Sequence, residues 1–545
     1  MTVHLSLTAR STYAAAFLAV ILIAIALRAP DLSRRPMHTD EAVHAVKFGM
    51  LLEDGFYRYD NTEYHGPTLN YFTLIPAWTE SAERLREVDE ATLRIVPVVF
   101  GVGLLLLLLL AVSALGRAAV VAAGLLTAVS PAMVFYSRYY IQEMLLVFFS
   151  FAVIVCGYQY VRRRQIGWAV ATGVSIGLMH ATKETAVIAL GAMALALGLS
   201  VATRRPASDP GPRQGRGTLV AHGLIALVTA ATISALFYSS FLSNSPGVVD
   251  SYTTYVNYLG RAQHEWHIHP WHYYLGLLVY FRGPGGPIWT EAFILLLAGV
   301  GIASAAIKRT TPGVDRDFVR FLSFYSVALF AIYSTIPYKT PWNILGAWHG
   351  LIILAGVGAV VALEATPTRS ARIALACVLV IGGAHLARQS YSGSHDYYAD
   401  PGNPYVYAHP TDDVVRIAER IRALAEVHPD GDALYIEVIS PASDYWPLPW
   451  YLRSFPNTGW WEEVDMAVPA APVIIASPSV EADLLRKLYE VPPPGERYLY
   501  VPLFESSTEI RPTIEMHGYV RKELWDAYLQ RPDASSTNAT EGRGR

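Results

Sequence analysis

Apolar residues in this chain come in long uninterrupted runs, without the three- and four-residue spacing of a surface helix or the alternation of a half-buried strand. Crossing the hydrocarbon core as a helix takes roughly 20 apolar residues. Runs near that length lie at 13–29, 91–115, 117–137, 140–161, 167–182, 184–203, 218–242, 288–307, 318–337, 343–363 and 371–388. They predict about eleven membrane-spanning helices. The aromatic stretch 271–282 has the makeup of an interfacial or re-entrant helix. The first run ends at Arg28-Ala29-Pro30 without a small-residue cleavage site, so it reads as a retained anchor. Beyond 388 the pattern changes. Residues 412–427 have helical apolar spacing (Val415, Ile417, Ile421, Leu424), as does the stretch 481–490. Segments 433–439, 473–476 and 498–502 read as strands. The expected organisation is a transmembrane domain over 1–388 with a long loop at 30–90, an α/β domain over 389–530, and a polar, disordered tail over 531–545.

Composition agrees with that division. Of 545 residues, 53% are hydrophobic and only 16% charged, with a mean hydropathy of +0.30. This excludes a disordered chain and argues against one large soluble enzyme. A net charge of −3 gives no pull toward nucleic acid. Cys156 and Cys377 lie in apolar runs without metal-ligand spacing. Basic residues mark alternate loops: Arg117, Arg162-Arg163-Arg164, the Arg204–Arg216 cluster, Lys308-Arg309 and Arg369. By the positive-inside bias these are cytoplasmic. The N-terminus is then inside, and the loops 30–90 and 243–287 and the α/β domain are outside.

Against that bias, a few charges persist at the other ends of the spans, where ionisable groups are costly and mark sites. His38-Thr39-Asp40-Glu41-Ala42 stands after the first run, with Thr39 or Asp40 placed to cap a helix and Glu41 and His44 on one face. Arg138-Tyr139-Tyr140-Ile141-Gln142-Glu143 follows the third run; as a helix it would set Arg138 against Gln142 and Tyr139 against Glu143. Thr182-Lys183-Glu184 and Tyr338-Lys339-Thr340-Pro341-Trp342-Asn343 complete the set. Carboxylates of Asp40, Glu41 and Glu143 with cations of Arg138, Lys183 and Lys339 suit an anionic, lipid-linked substrate: cations hold a phosphate and a carboxylate deprotonates a hydroxyl. His65, in Tyr64-His65-Gly66-Pro67, and the run His264-Glu-Trp-His267-Ile-His269-Pro-Trp-His272 add ligands or stacking surfaces. His267 and His269 have strand-like spacing for a metal without an indicated third ligand, and aromatic/His packing is the favoured account.

These ordered motifs resemble the GT-C superfamily of polytopic glycosyltransferases, in its protein O-mannosyltransferase and aminoarabinose-transferase branch. His38–Ala42, Tyr64–Pro67, Ser137-Arg138-Tyr139, Thr182–Glu184, Tyr338–Asn343 and Asp444-Tyr-Trp-Pro-Leu-Pro-Trp450-Tyr451 are most similar to a prokaryotic subfamily of flippase-activity-associated membrane proteins. The resemblance runs to about residue 520. It implies a GT-C-like transmembrane fold with an extracytoplasmic α/β domain, in a prokaryotic plasma membrane. It also implies an inverting transfer of sugar from a polyprenyl-phosphate donor to a glycan, lipid or protein acceptor outside the cytoplasm. By that analogy Asp40 is the general base, and Glu41 and Glu143 orient the acceptor, the base or a divalent ion. Arg138, Lys183 and Lys339 neutralise the departing phosphate, and His65, Tyr139 and Tyr338 contact sugar or acceptor. No cofactor follows with certainty; a divalent metal is compatible. The alternative is a non-catalytic component of lipid-linked sugar translocation.

Overall fold

The computed structural model describes residues 7–62, 65–203, 215–261, 267–306, 313–505 and 507–531. All of the expected tail except Arg531 lies outside them, as does His264. The chain forms two compact units. One comprises 1–32, 50–83 and 89–407; the other comprises 33–49, 84–88 and 408–545.

The first unit is helical. Among the described residues seven helices are long and apolar enough to cross a membrane: Ser11–Arg28, Glu90–Leu115, Glu143–Arg163, Arg216–Tyr238, Arg316–Thr335, Pro341–Ala365 and Arg369–His395. An eighth span is a pair, Arg117–Val129 and Pro131–Ser137, bent by 62°. Three shorter apolar helices, Ile166–His180, Ala186–Ala202 and Ala292–Ala306, fall on the remaining expected runs. The chain is therefore a multi-pass membrane protein, and the eleven-run pattern survives with four of its members short or broken. The aromatic 271–282 stretch forms only a seven-residue helix, Tyr273–Val279.

The bend has a chemical solution. Ser130-Pro131 stops the first helix, because proline lacks the N–H and its ring clashes with the preceding turn. Carbonyls and N–H groups are left orphaned in an apolar setting. The buried Arg28 takes the carbonyls, donating to Thr127 and Ala128 oxygens at 2.8 Å each. Glu291, fully buried, takes the new N-terminus: it accepts from the Ala132 N–H at 3.0 Å, the Ser130 hydroxyl at 2.5 Å and the Tyr405 hydroxyl at 2.5 Å. A cation at a helix C-terminus and an anion at an N-terminus match the helix dipole. The Tyr405 bond, with Tyr136 donating to the Tyr405 carbonyl at 2.9 Å, ties the chain after Arg369–His395 to the bundle as far as Tyr407.

The second unit holds a six-stranded mixed sheet: β1 Ile436–Ile439, β2 Thr458–Trp461, β3 Val473–Ala476, β4 Tyr500–Pro502, β5 Thr508–Arg511 and β6 Ile514–Arg521, in the order β2-β1-β3-β6-β4 with β5 on β6. The expected helices appear as Asp413–Ala425 and Glu481–Tyr489. β3 is a continuous apolar run and β1 is one interrupted only by Glu437; both faces of each are covered, and every residue of each is buried. Segment 33–49 is held to this unit by the Met37 N–H, which donates to the Tyr451 hydroxyl at 2.7 Å. Segment 84–88 is held by Arg453, which lies 3.7 Å from the Trp450 ring centroid and donates to the Val88 carbonyl at 2.8 Å. The Trp446–Tyr451 aromatics thus include buried packing residues at Trp450 and Tyr451.

Candidate active site

In the second unit the His38–Glu41 motif opens the Thr39–Asp54 helix. The cap is His38, not Thr39 or Asp40. Its Nδ1 accepts the Asp40 N–H at 3.1 Å, and its own N–H donates to Glu41 Oε2 at 3.0 Å. Glu41 thus closes half of a capping box from the third helical position, while the histidine ring accepts from the second helical N–H in place of the third. Glu41 is fully buried and also pairs with Arg35 at 2.9 Å, so its carboxylate is spent on building the turn. Asp40, one residue earlier, points differently. Its side chain is 45% exposed, with the His38 ring 3.9 Å away. Of the two acids, Asp40 is the one exposed.

In the first unit, Arg138 is the residue after the Pro131–Ser137 helix and Glu143 opens the next helix. The stretch between is not helical, so the helical spacing expected for Arg138–Gln142 and Tyr139–Glu143 does not apply: the chain needs those residues to turn between two helices. Arg138 instead donates to the carbonyls of Arg28 at 2.8 Å, Pro30 at 2.6 Å and Asp31 at 3.1 Å, gathering the end of the first span. Tyr139 is buried and packs on Trp342, with ring centroids 5.8 Å apart.

Glu143 is the centre of what the structure brings together. It forms a buried ion pair with Lys183, and it lines a narrow cleft together with Thr185, Ser150, Tyr333, Trp342 and Asn343. Leu146, Val147, Leu329 and Leu345 make the cleft's apolar wall. Three of the four sequence clusters therefore meet: the Arg138–Glu143 turn, the Thr182–Thr185 loop and the Tyr338–Asn343 segment. Among the described residues, Lys339 is buried and donates to the carbonyls of His269 at 2.9 Å and Ile336 at 2.5 Å. Carbonyls satisfy an ammonium without cancelling its charge. Tyr338, half exposed, meets the His267 ring at 5.2 Å.

His267 and His269 both reach one phenol, Tyr407, at 2.5 and 3.2 Å. Burial, then the neighbouring His267 and Lys339, hold the His269 pKa below its ordinary value. Among the described residues no three His, Cys, Asp or Glu side chains are grouped to hold a metal ion. His65 lies elsewhere in this unit, its Nδ1 2.7 Å from Glu184 Oε2. Reading the sequence missed this pairing, since Glu184 looked like a turn partner of Lys183. It also missed Glu291, which carries the same signal as Glu143: an acid at the head of an apolar run.

Comparison with known proteins comes to the same fold. The sequence profile of the dolichyl-phosphate-mannose-protein mannosyltransferase family matches residues 74–238. No curated protein sequence matches. Among solved structures, ArnT from Cupriavidus metallidurans bound to undecaprenyl phosphate is similar at a TM-score of 0.60 and 14% identity, over 94% of this chain and 98% of that one. The archaeal oligosaccharyltransferase AglB from Archaeoglobus fulgidus, in complex with an inhibitory peptide and a dolichol-phosphate, is similar at 0.58 and 13% identity, over 96% of this chain and 75% of that one. The same oligosaccharyltransferase in a complex with Zn and sulfate is similar at 0.53 and 14% identity, over 97% and 77%. The chain has the GT-C membrane fold with a small C-terminal sheet domain.

Proposed function

We propose that the protein is a membrane glycosyltransferase that moves a sugar from a polyprenyl-phosphate carrier to an acceptor outside the cytoplasm of a prokaryote, by an inverting displacement. The observation that carries this reading is the cleft headed by the buried Glu143–Lys183 pair and walled by leucines and valines. A polar head on an apolar cleft suits a lipid phosphate. Two structures of the same fold, ArnT and AglB, hold undecaprenyl phosphate and dolichol-phosphate, which supports a lipid-linked donor here.

In the reaction the acceptor oxygen attacks the anomeric carbon, the bond from that carbon to the phosphate oxygen breaks, and the electron pair leaves with the phosphate. Asp40 takes the acceptor's proton; its exposure suits that role, and the commitment of Glu41 to Arg35 and the helix cap leaves Glu41 to fix the turn. Lys183 and Lys339 supply positive charge for the departing phosphate, Lys339 from a fixed carbonyl cradle that needs no reorganisation during the step. Arg138 adds charge while anchoring the first span. Glu143 keeps Lys183 in place, and His65, Tyr139 and Tyr338 shape the approach of sugar and acceptor.

The test uses purified full-length protein, polyprenyl-phosphate sugars labelled in the sugar, and an envelope extract as acceptor source. Label should leave the lipid phase, and Asp40→Asn should slow this by about 10²–10⁴-fold, the range for loss of a general base, while the protein still elutes folded. Undiminished transfer by Asp40→Asn removes Asp40 as base. No transfer from any donor overturns the enzyme reading in favour of a translocation component.

A further inference from the structure

One helix of the first unit is amphipathic in the reverse of the usual sense, in which the apolar stripe faces the core. The helix Pro246–Arg261 turns Ser251 and Thr254 inward, 1% and 3% exposed, and Val249, Tyr252 and Val256 outward, 64%, 60% and 72% exposed. At about 100° per residue those three outward side chains share an arc of roughly 60°. The polar side is bonded to the 57–62 stretch. The Thr254 hydroxyl and the Asn257 amide both donate to the Asn61 carbonyl, at 3.2 and 3.1 Å, and the Asn61 amide donates to the Thr253 hydroxyl at 2.6 Å. The Ser251 hydroxyl donates to the Val248 carbonyl at 2.7 Å. Polar bonds thus hold the helix to its unit, and its apolar stripe is left as a contact surface.

The place of the helix in the chain indicates what covers that stripe. The preceding span, Arg216–Tyr238, has 23 residues. That makes it about 34 Å long at about 1.5 Å per residue, enough to cross a hydrocarbon core about 30 Å thick. Val220, Leu224, Leu227 and Val228 are exposed along it at the spacing of one helix face, as lipid-facing residues are. Tyr238 then stands at the hydrocarbon boundary, and the chain turns there at once. Ser240, Phe241 and Leu242 take left-handed φ values of 49°, 54° and 76°, and the Asn244 N–H donates to the Ser239 carbonyl at 2.7 Å. Gly247 comes so near the span that a Cβ on it would lie 2.2 Å from the Tyr238 carbonyl oxygen, an approach only glycine allows. Phe241 packs on Phe237 of the span with ring centroids 5.4 Å apart, and Phe241 and Leu242 are themselves exposed. The outward stripe therefore begins beside the end of a lipid-facing span, at the depth where tyrosine and apolar side chains settle.

We propose that the helix Pro246–Arg261 lies along the membrane surface, with Val249, Tyr252 and Val256 seated in the acyl boundary of the leaflet at which the Arg216–Tyr238 span ends. The occupant of the stripe is lipid. The assignment goes beyond the transferase reading and stands whether or not the protein moves a sugar. Residues 239–257 contain no Lys or Arg and a single acid, Asp250, so the attraction is to acyl chains and not to anionic headgroups. The lipid contact passes through Asn61 to the 57–62 stretch, which the Tyr57 N–H also ties to the Ser240 hydroxyl in the turn, at 2.8 Å.

The experiment uses the wild-type full-length protein in nanodiscs of phosphatidylcholine carrying a photoactivatable diazirine in the acyl chain, with adducts located by mass spectrometry. Adducts should fall on Val249, Tyr252 and Val256 and be several-fold scarcer on Ser251 and Thr254, with Leu224 and Leu227 of the span as the lipid-facing standard. The same pattern should persist when phosphatidylglycerol replaces part of the phosphatidylcholine. Val249→Glu combined with Val256→Glu should lose the Tyr252 adduct while Leu224 keeps its own. A helix without adducts, beside labelled Leu224 and Leu227, overturns the proposal. Adducts on the helix that require phosphatidylglycerol overturn it too, since headgroup charge would then be the attraction. Disulfide-linked copies of Val249→Cys in a Cys377→Ser background, with the helix unlabelled by lipid, would assign the stripe to a second chain instead.

Discussion

Each unit of this protein contains a buried lysine–glutamate pair, and the two pairs are placed very differently. In the α/β unit, Glu437 on β1 bonds Lys487 on the Glu481–Tyr489 helix at 2.5 Å, with side chains 1% and 2% exposed. The Ala471 N–H approaches the second carboxylate oxygen at 3.4 Å, and packed strands of the sheet adjoin β1 on both sides. In the helical unit, Glu143 and Lys183 are nearly as buried, but Glu143 forms part of the wall of the cleft. Burial of charge is equally costly in both places. What differs is access, and access is what separates a pair that joins a helix to a sheet from one that a ligand can reach.

Replacing Glu143 and Lys183 together, as Glu143→Leu with Lys183→Met, should sharpen this contrast most. Removing both charges leaves no unpaired buried ion, so the fold should persist by circular dichroism and gel filtration. Sugar transfer should fall by about 10³-fold, the scale for losing one preorganised charge contact in a water-poor site. Transfer within threefold of wild type would reduce this pair to the structural kind.

The sheet pair should behave in the opposite way. Glu437→Ala alone strands a buried ammonium and should cost about 3–5 kcal/mol, whereas Glu437→Leu with Lys487→Met should leave stability unchanged or raised by about 1–4 kcal/mol. Denaturant unfolding followed by tryptophan fluorescence reads both. Transfer by the double variant should match wild type, and a double variant as unstable as the single would break the comparison.

A smaller effect separates Glu184 from both. Burial acts to raise its carboxyl, but the His65 contact outweighs it and holds the carboxyl below its ordinary value in the folded protein, so the unfolded chain takes up the proton first. The stability it contributes is present above the ordinary carboxylate range and is lost as pH falls through that range and into the folded pKa. On acidification from pH 6 to pH 3.5 in detergent, the thermal midpoint of wild type should drop further than that of Glu184→Gln. Equal drops would show that His65 does not hold this carboxylate.

The membrane pattern was legible because continuous apolar runs have one reading in lipid, where every backbone group must be satisfied within the helix. The bent span was hidden by the same rule: Arg28 and Glu291 mend the break from distant positions, and only the bundle brings them there. In the α/β unit the buried strand β3 was readable as an apolar run, and β1 as one interrupted only by Glu437. β2, Thr-Gly-Trp-Trp, was not, since a half-buried edge strand without alternation has no period of its own. The Lys183 and Glu143 positions stood out as charges beside apolar runs, yet which carboxylate each cation would choose was open, because adjacent Glu184 competes on paper and loses only in three dimensions. Asp40 and Glu41 were indistinguishable as neighbours, and the capping geometry of His38 gives them different surroundings, one buried and one exposed.

That division gives the finest test within the second unit. The Met37 N–H, one residue before His38, donates to the Tyr451 hydroxyl at 2.7 Å, and both residues are buried. Tyr451→Phe keeps the ring and leaves that N–H without its acceptor, at a cost of about 1–3 kcal/mol for a buried unsatisfied donor. The loss falls on the segment entering the capping turn, so hydrogen exchange at Met37 and His38 should accelerate while β1 and β3 stay protected. If the turn is what presents Asp40, transfer should drop by a few-fold with KM nearly constant. Glu41→Gln, which weakens the same turn through Arg35 and the His38 N–H, should lower transfer in the same manner. A fall caused by Glu41→Gln but absent in Tyr451→Phe, with exchange raised in both, would show that Glu41 acts on the chemistry itself and would return the two acids to equal standing.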